Sequence, residues 1–199
     1  MIPIVQQTID FYLRNFKTPK IDDLEIRNQS LLVEKWAVFI TIYKNWEIRW
    51  SAWNIKEIKD NLVEELIENT ISAIYDDSRF EQVKYGEIKD LKIRVDLFKT
   101  KTILQDKEIL TIDPTKFWVL AIKKDYSSMA VVLPNINPIL LTWDDIIPVL
   151  EWKFGIKNFN ESDFILYKIE TEVHNNFDIK KLYEDINKND DDDDDDDDK

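Results

Sequence analysis

The sequence predicts an α+β fold in which a largely antiparallel sheet is flanked by helices. Some segments have apolar residues at every second position, as in strands, and others have them at every third or fourth position, as in helices. These segments do not alternate regularly as β-α-β units, so a doubly wound parallel sheet is disfavoured. A chain of 199 residues, of which 44% are hydrophobic, is long enough to bury one sizeable core.

The first predicted elements are an amphipathic helix and a β-hairpin. Residues 3–16 place apolar side chains on one helical face. Residues 37–44 are β-branched and aromatic, which is typical of a strand, and residues 47–50 are a second short strand. Asn45 and Trp46 lie between them, where a hairpin turn normally has Asn-Gly. The spacing therefore predicts a hairpin with an unusual turn residue.

A helix and a strand follow. Over residues 60–77 apolar residues recur at threes and fours, and Asn61 and Glu64 have the spacing of an N-terminal cap and its partner. Glu64, Glu65 and Glu68 are expected on the solvated face of this helix. Residues 91–97 alternate between aliphatic and charged side chains, which predicts a strand with one solvent-exposed face.

The C-terminal half is predicted to contain three strands and two helices. The strands are expected over residues 117–123, 128–133 and 164–173. One helix is expected over 143–154, and a weaker one over 178–187.

We expect one domain over residues 1–188, with room for a small subdomain formed by the N-terminal helix and segments near 100–115. Of the net charge of −13, Asp190 to Asp198 and Lys199 contribute −8, which leaves −5 for residues 1–189. Residues 189–199 are therefore predicted to form a disordered, self-repelling poly-Asp tail.

Charge and residue usage exclude several classes of function. The mildly acidic body disfavours binding to nucleic acid, which requires a basic face. No apolar run is long enough for a membrane span, and the N-terminus lacks the layout of a signal peptide, so we expect a cytoplasmic protein without a membrane partner. The absence of cysteine excludes disulfides, thiolate metal sites and a cysteine nucleophile, and the single His174 leaves no Ser-His-Asp or histidine-rich metal site except around that residue. We expect neither a metal nor a cofactor.

Four segments together resemble a known family. They are KWAVFITIYKNWEIRWSAWNI (35–55), NLVEELIENTISAIYDDSRF (61–80), EIKDLKIRVDLF (87–98) and VVLPNI (131–136). In this order they resemble the AMMECR family, whose members are called protein A of the AmmeMemoRadiSam trio. The resemblance implies a cytoplasmic protein of undefined biochemistry, with a Memo-like protein and a radical SAM protein as partners.

The departures from the family pattern concern glycine and cysteine. Where the family has L-R-G-C-I-G, residues 48–53 read I-R-W-S-A-W, so Trp50 and Trp53 occupy glycine positions and Ser51 the cysteine position. The chain has two glycines and seven tryptophans, whereas average glycine usage is about 7%. We hypothesise that UGA codons for glycine were read as tryptophan. The alternative is an engineered series of glycine-to-tryptophan substitutions.

Arg49 is the first candidate for ligand binding. Glycines beside it would let a ligand approach the main chain, while the guanidinium offers a fork of donors to a carboxylate or phosphate. The alternative is a surface arginine paired with a nearby acid. Ser51 is a candidate ligand contact that keeps a hydrogen bond but lacks thiolate nucleophilicity. No catalytic residue is identified.

Asp77 and Arg79 match the D-x-R-F motif that ends the helix in the family. They are candidates to line one wall of a cleft with Arg49. The alternative is structural, with Arg79 bridging to an acid and Phe80 anchoring the loop in the core.

Two functions remain open, and whether the protein is an enzyme is open too. It binds a small molecule or modified substrate around this hairpin, or it is a non-catalytic adaptor that docks a Memo-like or radical SAM partner.

Overall fold

The predicted α+β class is confirmed by the secondary structure of the chain. The computed structural model describes residues 1–45, 47–77, 79–105, 108–134 and 142–178. Its helices and strands are α1 (Ile2–Asn15), β1 (Val38–Lys44), β2 (Glu47–Trp53), α2 (Leu62–Ile71), β3 (Lys92–Ile103), β4 (Trp118–Lys123), β5 (Met129–Val132), α3 (Trp143–Phe154) and β6 (Phe164–Asn175). The strands form an antiparallel six-stranded sheet in the order β2-β1-β3-β6-β4-β5. The predicted hairpin, strands and helices 3–16 and 143–154 are therefore present.

The chain divides into two units. The first unit combines Met1–Leu97 with the segment from Glu172 onward, and the second is Phe98–Thr171. The predicted grouping of the N-terminal helix with segments near 100–115 is wrong, because α1 belongs to the first unit and those segments belong to the second. The physical reason is that α1 buries its apolar face in the core of the hairpin and α2.

The core of the first unit lies between one face of the sheet and helices α1 and α2. Its buried members include Ile4, Val5 and Ile9 of α1, Val38, Ile40 and Ile42 of β1, Leu62 and Leu66 of α2, and Ile93 and Val95 of β3. Alternate residues of β1 and β3 supply these side chains because successive strand residues point to opposite faces. Asn61 caps α2 as predicted, since its side chain accepts a hydrogen bond from the Glu64 N–H.

Helix α2 ends earlier than its apolar periodicity suggests. The α-helix stops at Ile71 and continues as one π-helical turn over Ser72–Asp76. A π-turn inserts an extra residue into the helical path and is frequent at functional sites. It rotates the exit of the chain, so that Asp77 leaves the helix in extended conformation beside β2.

The second unit has its own core. Val119 and Ala121 of β4 pack with Leu166 of β6 against Ile146 and Leu150 of α3. The α3 N-terminus is fixed by the Asp145 carboxylate, which accepts hydrogen bonds from the Thr142 N–H and hydroxyl. Gly155 ends the helix at a φ of 63°, a conformation that favours glycine.

The predicted exposed face of β3 is wrong. Arg94 and Asp96 are 1% and 0% exposed, and they form a bidentate ion pair with both distances at 2.7 Å. Residues two apart on a strand share a face, so the pair neutralises its own charges and can be buried. The alternation of charged and aliphatic residues therefore does not show that one face of β3 is exposed to solvent.

The predicted solvated position of Glu65 is also wrong. Its side chain is buried, and Oε2 accepts hydrogen bonds from the N–H groups of Ile58 at 3.0 Å and Lys59 at 2.8 Å. Oε1 accepts from the Asn54 amide at 2.8 Å. Because these donors satisfy its hydrogen-bonding capacity, the Glu65 carboxylate can be buried. The same hydrogen bonds hold the loop between β2 and α2 in position.

Three predictions fall outside the described residues. They are the turn residue Trp46, the helix over 178–187 beyond its first residue, and the tail over 189–199. In the part of the chain that the structure describes, no helix has the length and apolar character needed to cross a membrane.

Candidate functional site

Arg49 is the extra residue of a β-bulge in the hairpin. Ile42 pairs with Trp50 and Tyr43 with Ile48, so Arg49 has no residue opposite it on β1. A bulge bends its strand and re-aims a side chain, and bulges are over-represented near active sites. Here it leaves Arg49 half-buried while Trp50 remains in the core.

The Arg49 guanidinium lies against two aromatic rings. Its central carbon is 5.2 Å from the ring centre of Trp50 and 5.2 Å from that of Phe80. The Trp50 ring is fixed in turn, because its Nε1 donates to the Glu81 carbonyl at 2.8 Å. Among the described residues Arg49 makes no hydrogen bond and no ion pair. The rings therefore orient this cation without using its donors.

Asp77 links the end of the π-turn to the edge strand β2. Its carboxylate accepts from the Ser51 N–H at 3.0 Å, from Arg79 Nε at 2.8 Å and from Arg79 Nη2 at 2.7 Å. Its side chain is only 5% exposed. Strand β2 is the first in the sheet order, so Asp77 satisfies a backbone donor that no strand pairs with.

Arg79 connects the remaining candidates. Its Nη2 donates to the Ser51 hydroxyl at 2.8 Å, and its central carbon lies 5.3 Å from the ring centre of Phe80. Phe80 therefore contacts both guanidinium groups, Arg49 and Arg79. Its ring also packs against the core of the first unit, as the structural alternative required.

The electrostatics keep Asp77 ionised. Burial disfavours its charged form, but the hydrogen bonds from Arg79 and from the Ser51 N–H outweigh burial, and the pKa of Asp77 is lowered from its ordinary value. The same hydrogen bond with Asp77 raises the pKa of Arg79. The pair is a fixed dipole beside β2.

A second carboxylate acts on Arg49 from a distance. Glu87 is paired with Lys44, and its carboxylate also accepts from the Lys84 N–H at 2.8 Å. Burial alone would raise the pKa of Glu87, but these contacts, with a smaller contribution from the charge of Arg49, lower it. Glu87 is therefore an ionised neighbour of Arg49 and not its ion-pair partner.

The structure brings the predicted site residues together in part. Ser51, Asp77 and Arg79 form one hydrogen-bonded cluster. Within this cluster Arg79 pairs with the carboxylate of Asp77, as the structural alternative for Arg79 predicted. Arg49 contacts the same Phe80 ring as Arg79. Among the described residues it lacks the acid partner that the alternative of a paired surface arginine required. A cleft lined by these residues stays a prediction.

Sequence reasoning missed two features of this cluster. It assigned Phe80 a role only in the core. Because Phe80 directly follows Arg79 in the D-x-R-F motif, a cation–π contact between the two could have been predicted. Sequence reasoning also did not identify Glu87, because nothing in the spacing relates residue 87 to the hairpin. Within the described ranges no group of three or more His, Cys, Asp or Glu side chains is placed to hold a metal ion.

The comparison with protein families decides the relationship. The sequence profile described as AMMECR1 matches residues 2–174. This chain belongs to the AMMECR1 family. The match covers both hairpin strands and the segment from α2 to Phe80, so the whole candidate site lies within the family domain.

Two individual proteins are similar to this AMMECR1-family chain. Protein CA_C1420 of Clostridium acetobutylicum is 30% identical over 106 residues, which are 52% of this chain and 21% of that protein. The chain thus matches about a fifth of the length of that relative. The crystal structure of the uncharacterized protein PH0010 from Pyrococcus horikoshii has a TM-score of 0.69 at 21% identity, covering 85% of this chain and 86% of that chain. That similarity shows the fold.

The tryptophans at the family's glycine positions have ordinary backbone conformations. Trp50 and Trp53, like the other tryptophans that the structure describes, lie outside the positive-φ region. Trp50 is 1% exposed, and the half-buried Trp53 stacks on Phe39 at 6.1 Å between ring centres. The structure therefore shows no backbone strain at Trp50 or Trp53.

Proposed function

We propose that the surface around Arg49 binds the anionic group of a small molecule or modified substrate. The observation that carries this proposal is a half-buried guanidinium, held between Trp50 and Phe80, with no hydrogen-bond or ion-pair partner among the described residues. An arginine removed from water without an acid partner has lost hydration that a bound anion would replace.

Preorganisation favours binding at this position. A free arginine loses considerable side-chain entropy when it binds a ligand, but the Phe80 ring already restricts Arg49, and this contact does not depend on whether residue 50 is tryptophan or glycine. Within the described residues no acceptor takes up the N–H donors of its guanidinium, so they are available to a planar acceptor. The bulge also contributes, because it takes Arg49 out of the regular alternation of side chains along β2 and places its guanidinium beside Phe80.

Arg79 and Ser51 supply additional donors. Arg79 uses Nε and Nη2 toward Asp77 and Ser51, while its Nη1 makes no hydrogen bond within the described residues. The Ser51 hydroxyl accepts from Arg79, so its own proton is free to point toward a ligand. Asp77 positions both residues without itself contacting the ligand.

A non-catalytic adaptor is the second candidate function, and the observation that favours it is an exposed aromatic surface. Phe16, Tyr75 and Tyr85 are 80%, 52% and 51% exposed. Tyr75 packs edge-on against Tyr12, and Arg14 lies 5.3 Å from the ring centre of Tyr85. Exposed tyrosine and arginine are typical of protein interfaces. The partner of such an adaptor would be a Memo-like or radical SAM protein.

The experiment uses small anions as probes of the purified chain. Binding of benzoate, acetate and inorganic phosphate is followed through the arginine Nε–H signals by NMR. We expect Arg49→Ala to weaken the binding of at least one probe tenfold or more, and Arg49→Lys to restore it only in part, because lysine lacks the planar fork. Arg27→Ala, at an exposed arginine paired with Glu25, is the control and leaves binding unchanged.

The adaptor has a separate test. Purified Memo-like protein is titrated against the chain and against Tyr75→Ala combined with Tyr85→Ala. Loss of an interaction in this variant, together with probe binding that does not depend on Arg49, would favour the adaptor over the anion site.

A further inference from the structure

We infer that the anion bound at Arg49 is a carboxylate monoanion, and that Asp77 makes the site select against dianionic phosphate groups. This inference rests on the proposed function and adds the chemical class of the ligand. It depends on how the charges around Arg49 are already compensated.

The charges of the cluster leave one net positive charge. Lys44 is paired with Glu87, and Arg79 is paired with Asp77 through two hydrogen bonds. Both pairs are neutral as units. Arg49 is the cation that remains, because it has neither a hydrogen bond nor an ion pair within the described residues. A monoanion neutralises it, whereas the second charge of a dianion has no matching cation.

Asp77 cannot move away from an incoming anion. The Ser51 N–H and the Arg79 guanidinium hold its carboxylate, and its side chain is almost fully buried. Arg79 and Arg49 both lie within 5.3 Å of the centre of the Phe80 ring. The fixed negative charge of Asp77 therefore offsets the charge of Arg79, and without that offset a ligand at Arg49 would face two uncompensated guanidinium groups around one ring.

The available donors also suit a carboxylate. A guanidinium held against an aromatic ring presents its N–H groups in one plane, and a carboxylate accepts two of them side by side. Arg49 and Arg79 Nη1 offer donors only, and the Ser51 hydroxyl, which already accepts from Arg79, has its proton left to donate. The ligand therefore has to present acceptor oxygens, and two in one plane are sufficient.

The test compares two probes that share a phenyl ring. Benzoate is a monoanion at pH 7.5, and phenyl phosphate is mostly a dianion because its second pKa is about 6. We expect the full chain to bind benzoate at least tenfold more tightly than phenyl phosphate, measured by NMR titration. In Asp77→Asn, which keeps the shape and an acceptor for Ser51 and Arg79, we expect this ratio to fall at least tenfold.

A matched control separates a local charge effect from a general one. Asp76→Asn makes the same change of charge at the preceding, exposed residue, and is expected to leave the ratio within a factor of two. Should Asp77→Asn not fold, Glu87→Gln serves as the second variant. It removes the other carboxylate near Arg49 and is expected to shift the ratio in the same direction.

The outcomes distinguish this inference from the function on which it rests. Equal or tighter binding of phenyl phosphate by the unmodified chain overturns the selectivity, even if Arg49→Ala abolishes binding of both probes and so supports the anion site. Probe binding that is independent of Arg49 overturns both. An unchanged ratio in Asp77→Asn overturns the role of Asp77.

Discussion

Arg79 donates a hydrogen bond of 2.8 Å to the hydroxyl of Ser51, which lies 28 residues earlier in the chain. This contact joins the edge strand β2 to the segment that leaves the π-turn. Because Arg79 is held at the same time by Asp77, the position of the Ser51 side chain is set by residues from outside its own hairpin. The candidate site is therefore an assembly of two distant segments of the AMMECR1 domain.

Replacement of Ser51 by alanine tests the strength of this connection. Ser51→Ala removes the hydroxyl but keeps the backbone N–H that donates to Asp77. We expect the free energy of unfolding to fall by about 0.5–1.5 kcal/mol, the usual net contribution of one hydrogen bond. Urea unfolding measures this change in the free energy of unfolding. Ser162→Ala is the control, at an exposed serine whose hydroxyl, among the described residues, hydrogen-bonds to Asn160 alone. A loss above about 3 kcal/mol would indicate a structural role beyond this bond.

The Asp77 carboxylate should make stability depend on pH in the acid range. Its pKa in the folded protein is lower than its ordinary value of 3.8, so the unfolded chain binds the proton more readily. The stabilisation is complete above pH 3.8 or so and is lost as the pH falls through the lower folded value. Asp77→Asn should therefore be less stable than the unmodified chain at pH 7, and this difference should shrink toward pH 2.

Urea unfolding of both proteins between pH 7 and pH 2 measures this difference. Asp22→Asn, at an exposed aspartate without a charge partner among the described residues, is the control. A difference between Asp77→Asn and the unmodified chain that stays constant over this range would contradict the assigned cause.

Elements of this fold that depend on local patterns were predictable from sequence. The cap at Asn61, the helix over 143–154 and the hairpin itself each follow from interactions between residues close in the chain. The bulge at Arg49 was not predictable, because one extra residue leaves the residue types of a strand unchanged. The π-turn was hidden in the same way by apolar residues that continue the helical period.

Burial of charge was the other limit of sequence reasoning. Periodicity distinguishes polar from apolar side chains, but it does not show whether a polar side chain has a partner. Arg94 and Asp96 neutralise each other on one strand, and Glu65 receives N–H donors from a loop whose path is not evident from sequence. The site residues were found because a family motif named them, whereas Glu87 had no such signal.

Glu65 should be among the most sensitive positions of the first unit. Glu65→Ala removes a buried carboxylate that accepts from the N–H groups of Ile58 and Lys59, and it leaves the Asn54 amide with only the Oδ1 of Asn69 as acceptor. We expect the free energy of unfolding to fall by about 2–4 kcal/mol, since each hydrogen bond to a charged group contributes about 1.5–3 kcal/mol and water replaces part of it for the exposed Ile58. Glu68→Ala is the matched control, one turn later on the same helix. Its ion pair with Lys59 is exposed, so the loss should be below about 1 kcal/mol.

The recoding hypothesis makes a prediction about the gene. If UGA encodes glycine in the source of this sequence, the codons for the seven tryptophans should be UGA; these are Trp36, Trp46, Trp50, Trp53, Trp118, Trp143 and Trp152. UGG at every position would refute recoding. Sequencing of the gene and mass spectrometry of the native protein both answer the question, because each exchange of glycine for tryptophan changes the mass by a fixed amount.

The ion pair of Arg94 and Asp96 gives a prediction in which two substitutions are less harmful than one. Both side chains are buried, and although burial opposes the charged form, Asp96 raises the pKa of Arg94 above its ordinary value. Asp96→Leu alone leaves a buried guanidinium without its carboxylate, so we expect a loss of about 3–5 kcal/mol. Arg94→Met combined with Asp96→Leu removes both charges and should recover at least half of that loss.

Urea unfolding of the two single variants and the double variant closes this thermodynamic cycle. A double variant that loses as much as the sum of the single variants would show that the two side chains act independently. In that case burial of β3 would depend on other contacts of Arg94 and Asp96. Recovery in the double variant would instead show that these two charges can be buried only because they compensate each other. The same compensation explains why the alternating sequence pattern did not reveal that β3 is buried.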